Sequence, residues 1–236
     1  MALTLYYHPL SSYCHKALVA LYEMGTPFDP RLIDLSQPDD RAALAAVWPL
    51  VKFPVLHDAA RRQSVAEASV IIEYLQLHYP GPEPLLPPDQ ADALTVRLWD
   101  RVFDLHVQTP MQSIVNDRLN DRPFVRHGEA QPALDAIERA WALIDAQLQR
   151  CGGPWIAGTR FSMADCAAAP ALFYASTLQP IAPQHARLQA YFDRLMTRAS
   201  VERVLREAQP YLPFYPFYEL IPPEFLASPS SAPAPL

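Results

Sequence analysis

Ser11-Ser12-Tyr13-Cys14 sets two hydroxyls, a phenol and a thiol side by side where a strand gives way to a helix. Leu3–His8 reads as a short apolar strand, Pro9 marks the bend, and His15–Met24 carries helical periodicity. A serine at such a junction is a natural N-cap, its hydroxyl close to the unpaired amides that open the helix. Those amides and the positive end of the helix dipole favour an anion. Thiols become thiolates in such places, because a helix N-terminus pulls a thiol pKa below about 8.5. The turn can therefore use its own Cys14 or activate a thiol carried by another molecule.

The elements that must hold this turn fall into two halves. Up to residue 79 strand-like and helix-like segments alternate. After the first strand and helix come a strand at Phe28–Asp34 and a short helix at Asp39–Val47. A hairpin from Phe53–His57 and Gln63–Ala66 follows, then a helix at Glu67–Tyr79. A βαβ unit followed by ββα predicts a small α/β sandwich on a mixed sheet. Pro80-Gly81-Pro82-Glu83-Pro84 and Pro87-Pro88 then make a stiff, helix-free linker over 80–89. Residues 90–208 read as all helical: one long helix at Gln90–Asn120 bent at Pro110, then Pro132–Gln149, Met163–Ser176, Leu188–Met196 and Val201–Ala208. From 209 to 236 a tail rich in proline and aromatics ends in a Ser/Pro/Ala stretch that predicts disorder.

With 236 residues, 50% of them hydrophobic and 19% charged, the chain can bury a sizeable core. A net charge of −6 with no dense basic cluster argues against nucleic acid or an anionic membrane as partner. No apolar run approaches the roughly 20 residues of a membrane span. The N-terminus lacks the basic-then-apolar pattern of a secretory signal. Cys14, Cys151 and Cys166 are too few and odd in number for a disulfide framework, so a reducing, cytoplasmic setting is expected. His8 and His15 flank the turn without a second ligand at metal spacing, and no metal site is expected.

The strand, the Ser-x-x-Cys turn, the helix and the later Lys52-Phe53-Pro54-Val55-Leu56 resemble a thioredoxin-like domain. Glu67-Ala68-Ser69-Val70-Ile71 looks like the Glu-Ser-x-Ala-Ile signature of cytosolic glutathione transferases, and Phe161-Ser162-Met163-Ala164-Asp165 resembles their helical-domain capping box. The resemblance spans residues 3 to 208. It implies a thioredoxin-like N-terminal domain with a four-stranded mixed sheet, an all-helical C-terminal domain, glutathione as co-substrate and a homodimer. Ser11 matches the catalytic position of the serine-type classes (tau, zeta and similar bacterial forms), where the hydroxyl donates to the glutathione sulfur. Pro54 would form the family's cis bond, so that the Phe53 main chain holds the cysteinyl part. Lys52, Glu67 and Ala68 would hold the rest of the peptide, Glu67 suiting the γ-glutamyl ammonium and the amides beside Ala68 its carboxylate.

Two positions depart from the pattern: Ala68 stands where the family has serine, and Val51 where glycine is common. The electrophile would lie between the halves, against Met111 and Ile114 of the long helix and Tyr211, Phe214 and Tyr215 of the tail. The implied reaction is attack of the glutathione thiolate on an apolar electrophile. Two alternatives remain open: a non-catalytic glutathione-binding or regulatory protein of the same fold, and a thiol transferase dependent on Cys14.

Overall fold

The computed structural model describes residues 2–125 and 128–226. The opening strand β1 (Leu3–Tyr7) runs into α1 (Ser12–Glu23), then β2 (Asp29–Leu32), α2 (Pro38–Val47), β3 (Val55–Asp58), β4 (Gln63–Ala66) and α3 (Ala68–His78). The sheet order is β2-β1-β3-β4, with β1 parallel to β2 and antiparallel to β3, and β3 antiparallel to β4. This is the mixed four-stranded sheet of a thioredoxin-like domain. Leu5 faces Leu56 across the ladder, and both are fully buried, which fixes the register because a one-residue slip would turn them to the opposite face.

The second half is helical: α4 (Gln90–Val102), a π-helical segment (Phe103–Gln108), α5 (Thr109–Leu119), α6 (Gln131–Cys151), α7 (Met163–Leu178), α8 (Ala186–Met196) and α9 (Ala199–Ala208). The expected single helix over Gln90–Asn120 is thus interrupted before Pro110. Proline has no N–H to return to the preceding turn, and the widened register instead delivers the Thr109 N–H and its Oγ1 to the Asp104 carbonyl. In α6 the buried stripe is Leu134, Ile137, Ala140, Trp141 and Ile144, and the helix ends on Gly152 in the left-handed region, φ 64°. The capping box at α7 is present in both directions. Asp165 is buried and accepts from the Ser162 N–H and hydroxyl, the Ile156 N–H and the Tyr191 hydroxyl.

The tail packs back onto the helices. Residues 209–225 form three 3-10 turns, and Leu212, Tyr215, Phe217 and Ile221 are buried. The Ser/Pro/Ala stretch beyond 226 lies outside the described residues. One contiguous apolar core runs from Leu3 on β1 through α1, α3 and the helices to Ile221, so the two halves share a single interior.

Candidate active site

The turn after β1 is held by its own backbone. The Ser11 N–H donates to the His8 carbonyl (3.0 Å), and the Ser11 carbonyl accepts from the His15 N–H (2.9 Å). Ser11 Oγ accepts from the Cys14 N–H (3.3 Å), so the residue is a true N-cap. Fully buried His15 donates Nε2–H to the Pro9 carbonyl at 2.5 Å. Burial takes its pKa down to about 4, so it braces the turn as a neutral ring. His8 accepts the Leu10 N–H on Nδ1 (3.2 Å) and stacks on Phe53 at 5.9 Å, with burial lowering its pKa.

The Phe53–Pro54 bond is cis, and Pro54 is buried at the entry to β3. Just before it Val51 takes φ 52°, a left-handed backbone that a β-branched residue rarely adopts. Glu67, exposed at φ 67°, caps α3, and Ala68 is buried at its first position. The charge of Glu67 is felt at both Tyr13 and Arg101, which sets it beside the Ser11 turn and α4.

A buried ion cluster fixes α1, α3 and α4 to one another. Lys16 Nζ, with no solvent exposure, reaches Asp100 Oδ1 (2.7 Å), Asp104 Oδ2 (2.8 Å) and the Ser69 hydroxyl (2.8 Å). Ser69 donates to Asp100 Oδ2 (2.7 Å), and half-exposed Arg101 bonds Asp100, Asp104 and Ser69. Ser69 is therefore turned inward and does not replace the hydroxyl missing at Ala68. Sequence reading passed over Lys16. The signal was available in Asp100 and Asp104, spaced four apart on the side of the helix that carries Val96 and Phe103.

Between the halves opens a cleft of ≈ 610 Å³. Ser11, Lys52 and Phe53 line it on one side, with Met111, Phe214 and Tyr215 opposite. Ile114 is buried in the core and Tyr211 faces elsewhere, so neither lines this cleft. Helical geometry puts Met111, Val115 and Leu119 on the cleft side of α5 and turns Ile114 inward. Tyr211 instead joins Tyr7, Tyr22, Phe28, Arg203 and Glu207 around a second cleft of ≈ 530 Å³, its ring edge-on to His8 at 6.1 Å. Tyr7 is thereby away from the cleft that holds Ser11. Ser12, Tyr13, His8 and Tyr174 also line the Ser11 cleft, and sequence reading did not assign them to it.

Cys14 is fully buried, and burial pushes its thiol up to about 12 against smaller opposing effects from the Ser11 side chain and the His8 main chain. A thiolate is disfavoured there, which argues against the Cys14-dependent reading. Among the described residues no three His, Cys, Asp or Glu side chains converge as metal ligands, and no helix is long and apolar enough to cross a membrane.

Comparison with known proteins gives two family matches. The N-terminal domain of glutathione S-transferases matches residues 5–83, and the C-terminal domain of the same family matches residues 113–194. The glutathione S-transferase-like protein OpS6 of Beauveria bassiana is 24% identical over 213 residues, covering 83% of this chain and 94% of that protein. A glutathione S-transferase of Methylobacterium radiotolerans, crystallised with glutathione sulfonate, is 28% identical with TM-score 0.70, over 86% of this chain and 93% of that one. A glutathione S-transferase of Methylobacillus flagellatus, solved with GSH bound, is 26% identical with TM-score 0.71, over 86% and 98%.

Proposed function

Because the chain belongs to the glutathione S-transferase family through both of its domains, we propose that it is a serine-type transferase that binds glutathione and directs its thiolate at an apolar electrophile. The observation that carries the reading is Ser11, an N-cap hydroxyl on the wall of the interdomain cleft at the mouth of α1. Lowering a thiol pKa by about two requires about 2.7 kcal/mol. A hydrogen bond to a charged sulfur supplies about 1.5–3 kcal/mol, and the helix terminus about 0.3–1 kcal/mol. The sum suffices without a general base.

In this reading the Phe53 main chain before cis Pro54 pairs with the cysteinyl unit, as an added strand would. Lys52 and the opening of α3 at Glu67 and Ala68 hold the two ends of the peptide. Met111, Phe214 and Tyr215 receive the electrophile. Exposed Val70 and Leu77 on α3 and Leu94 and Leu98 on α4 form an apolar face suited to a second copy of the chain, and the setting is cytoplasmic.

The test is a pH titration of thiolate absorbance for glutathione bound to wild type and to Ser11→Ala. A pKa lowered by about one or more, and restored by the substitution, supports the reading. Saturating binding with an unmoved pKa supports instead a non-catalytic binding protein, the alternative that Ala68 favours by removing one hydroxyl from the peptide site.

A further inference from the structure

The second cleft, ≈ 530 Å³, shares no lining residue with the cleft that holds Ser11. Its volume is that of a small-molecule site, and the transferase reading makes no use of it. The rings of Tyr7, Tyr22, Phe28 and Tyr211 line it, together with buried Leu18 and Leu21. Tyr22 and Phe28 lie 6.0 Å apart with their planes tilted by 36°. Rings so placed receive a flat ligand by offset stacking or edge contact. Burial raises the Tyr7 pKa, and the nearby Glu207 and Tyr211 add to the effect, so this phenol keeps its proton.

Arg203 and Glu207 are the charged residues of the lining. The Arg203 guanidinium lies over the Tyr22 ring, 3.8 Å from its centroid, and donates Nε–H to Glu207 Oε1 (2.9 Å). The Tyr22 hydroxyl donates to Glu207 Oε2 (2.5 Å). Each carboxylate oxygen therefore keeps a lone pair, and the Arg203 Nη groups keep N–H bonds to give. The pair cancels its own charge. An anionic ligand would meet Glu207, and a cationic one would meet Arg203, which already covers the Tyr22 face. A neutral ligand with a donor beside an acceptor meets neither repulsion. We propose that this cleft binds a neutral, planar heteroaromatic ring of the aminopurine kind. Its exocyclic amino group donates to Glu207, the neighbouring ring nitrogen accepts from Arg203, and its faces lie against the aromatic side chains.

The probes are adenine, whose amino donor adjoins a ring-nitrogen acceptor, and purine, which lacks the amino group. Calorimetry on the full chain at pH 7 titrates both into wild type, Arg203→Met and Glu207→Met. Both side chains are about half exposed, and an exposed pair one helical turn apart adds little to stability, so the variants should fold. Adenine is expected to bind wild type one to one with a Kd below about 1 mM. Purine should bind wild type about tenfold more weakly, the loss of one hydrogen bond to a charged group. Each substitution should weaken adenine by a similar factor. The comparison of adenine with purine needs wild type alone, so it holds even if a variant is unstable. Equal affinity for the two probes overturns the proposal. So does an absence of adenine binding several-fold above that limit. Adenine affinity unchanged in both variants also overturns it, by placing the ring elsewhere on the molecule.

Discussion

Replacing Lys16 by methionine keeps the length of the side chain and removes the ammonium from its buried cluster. Asp100, 1% exposed, and Asp104 then face each other with only half-exposed Arg101 to balance them. Breaking a buried ion pair from one side costs about 3–5 kcal/mol. The loss has a ceiling, because one carboxylate can take up a proton instead. Starting from a carboxyl pKa near 3.9, protonation costs about 4 kcal/mol at pH 7 and about 1.5 kcal/mol at pH 5. Asp104 is the group that takes it, since burial already raises its pKa in the wild type against the pull of Lys16 and Arg101.

A carboxyl whose folded pKa lies above its unfolded value contributes stability below the unfolded value and loses it as pH rises through the folded one. Lys16→Met should therefore be about 3–4 kcal/mol less stable than wild type at pH 7, and the deficit should shrink by more than half at pH 5. Adding Asp104→Asn should restore part of the loss at pH 7, because Arg101 and Asp100 then balance. Urea unfolding followed by tryptophan fluorescence reads all of this, with buried Trp99 beside Asp100. A deficit below about 1 kcal/mol at pH 7 would refute the reasoning. So would a deficit equal at both pH values, or a double variant weaker than the single one.

Three other outcomes are expected. Ala68→Ser returns a hydroxyl to the opening of α3 and should tighten glutathione binding roughly tenfold by calorimetry; an unaltered affinity would remove that helix end from the peptide site. Of the three free cysteines only half-buried Cys151 should react with a disulfide reagent in the native protein, and prompt labelling of Cys14 would contradict its burial. Val51→Gly relieves a left-handed valine costing about 1–2 kcal/mol and adds back about 0.5–1 kcal/mol of chain entropy. It should thus leave Tm level or slightly raised, and a marked drop would show that valine packing against Ile33, Leu44 and Val55 dominates.

What was legible in the sequence was local punctuation. Pro9 and Ser11 announce a strand-to-helix turn, the prolines of 80–89 fall in the element-free stretch between α3 and α4, and Ser162 with Asp165 spells a capping box. What was not legible depends on the direction in which side chains leave irregular backbone. In a 3-10 tail Tyr211 and Tyr215 are chemically alike, yet one lines the second cleft and the other the cleft that holds Ser11. Lys16 reads as an ordinary polar residue on an amphipathic helix until α4 brings two carboxylates over it. That the hydroxyls of Ser12, Tyr174 and Tyr215 are buried without a hydrogen-bond partner shows only in the packed structure.

The single interior shared by both halves has a consequence for how this protein can be taken apart. Family comparison recognises two modules, whereas the packing makes one cooperative unit. Cut at the proline linker, the first module would present Lys16 and the apolar backs of α1 and α3 to water. Folding on the ribosome meets the same situation: the thioredoxin-like half can gather early but gains its full rigidity only when α4 and α7 arrive. Exchange of one module between relatives would thus demand matched surfaces along the whole seam, so the halves are free to diverge mainly in step with each other.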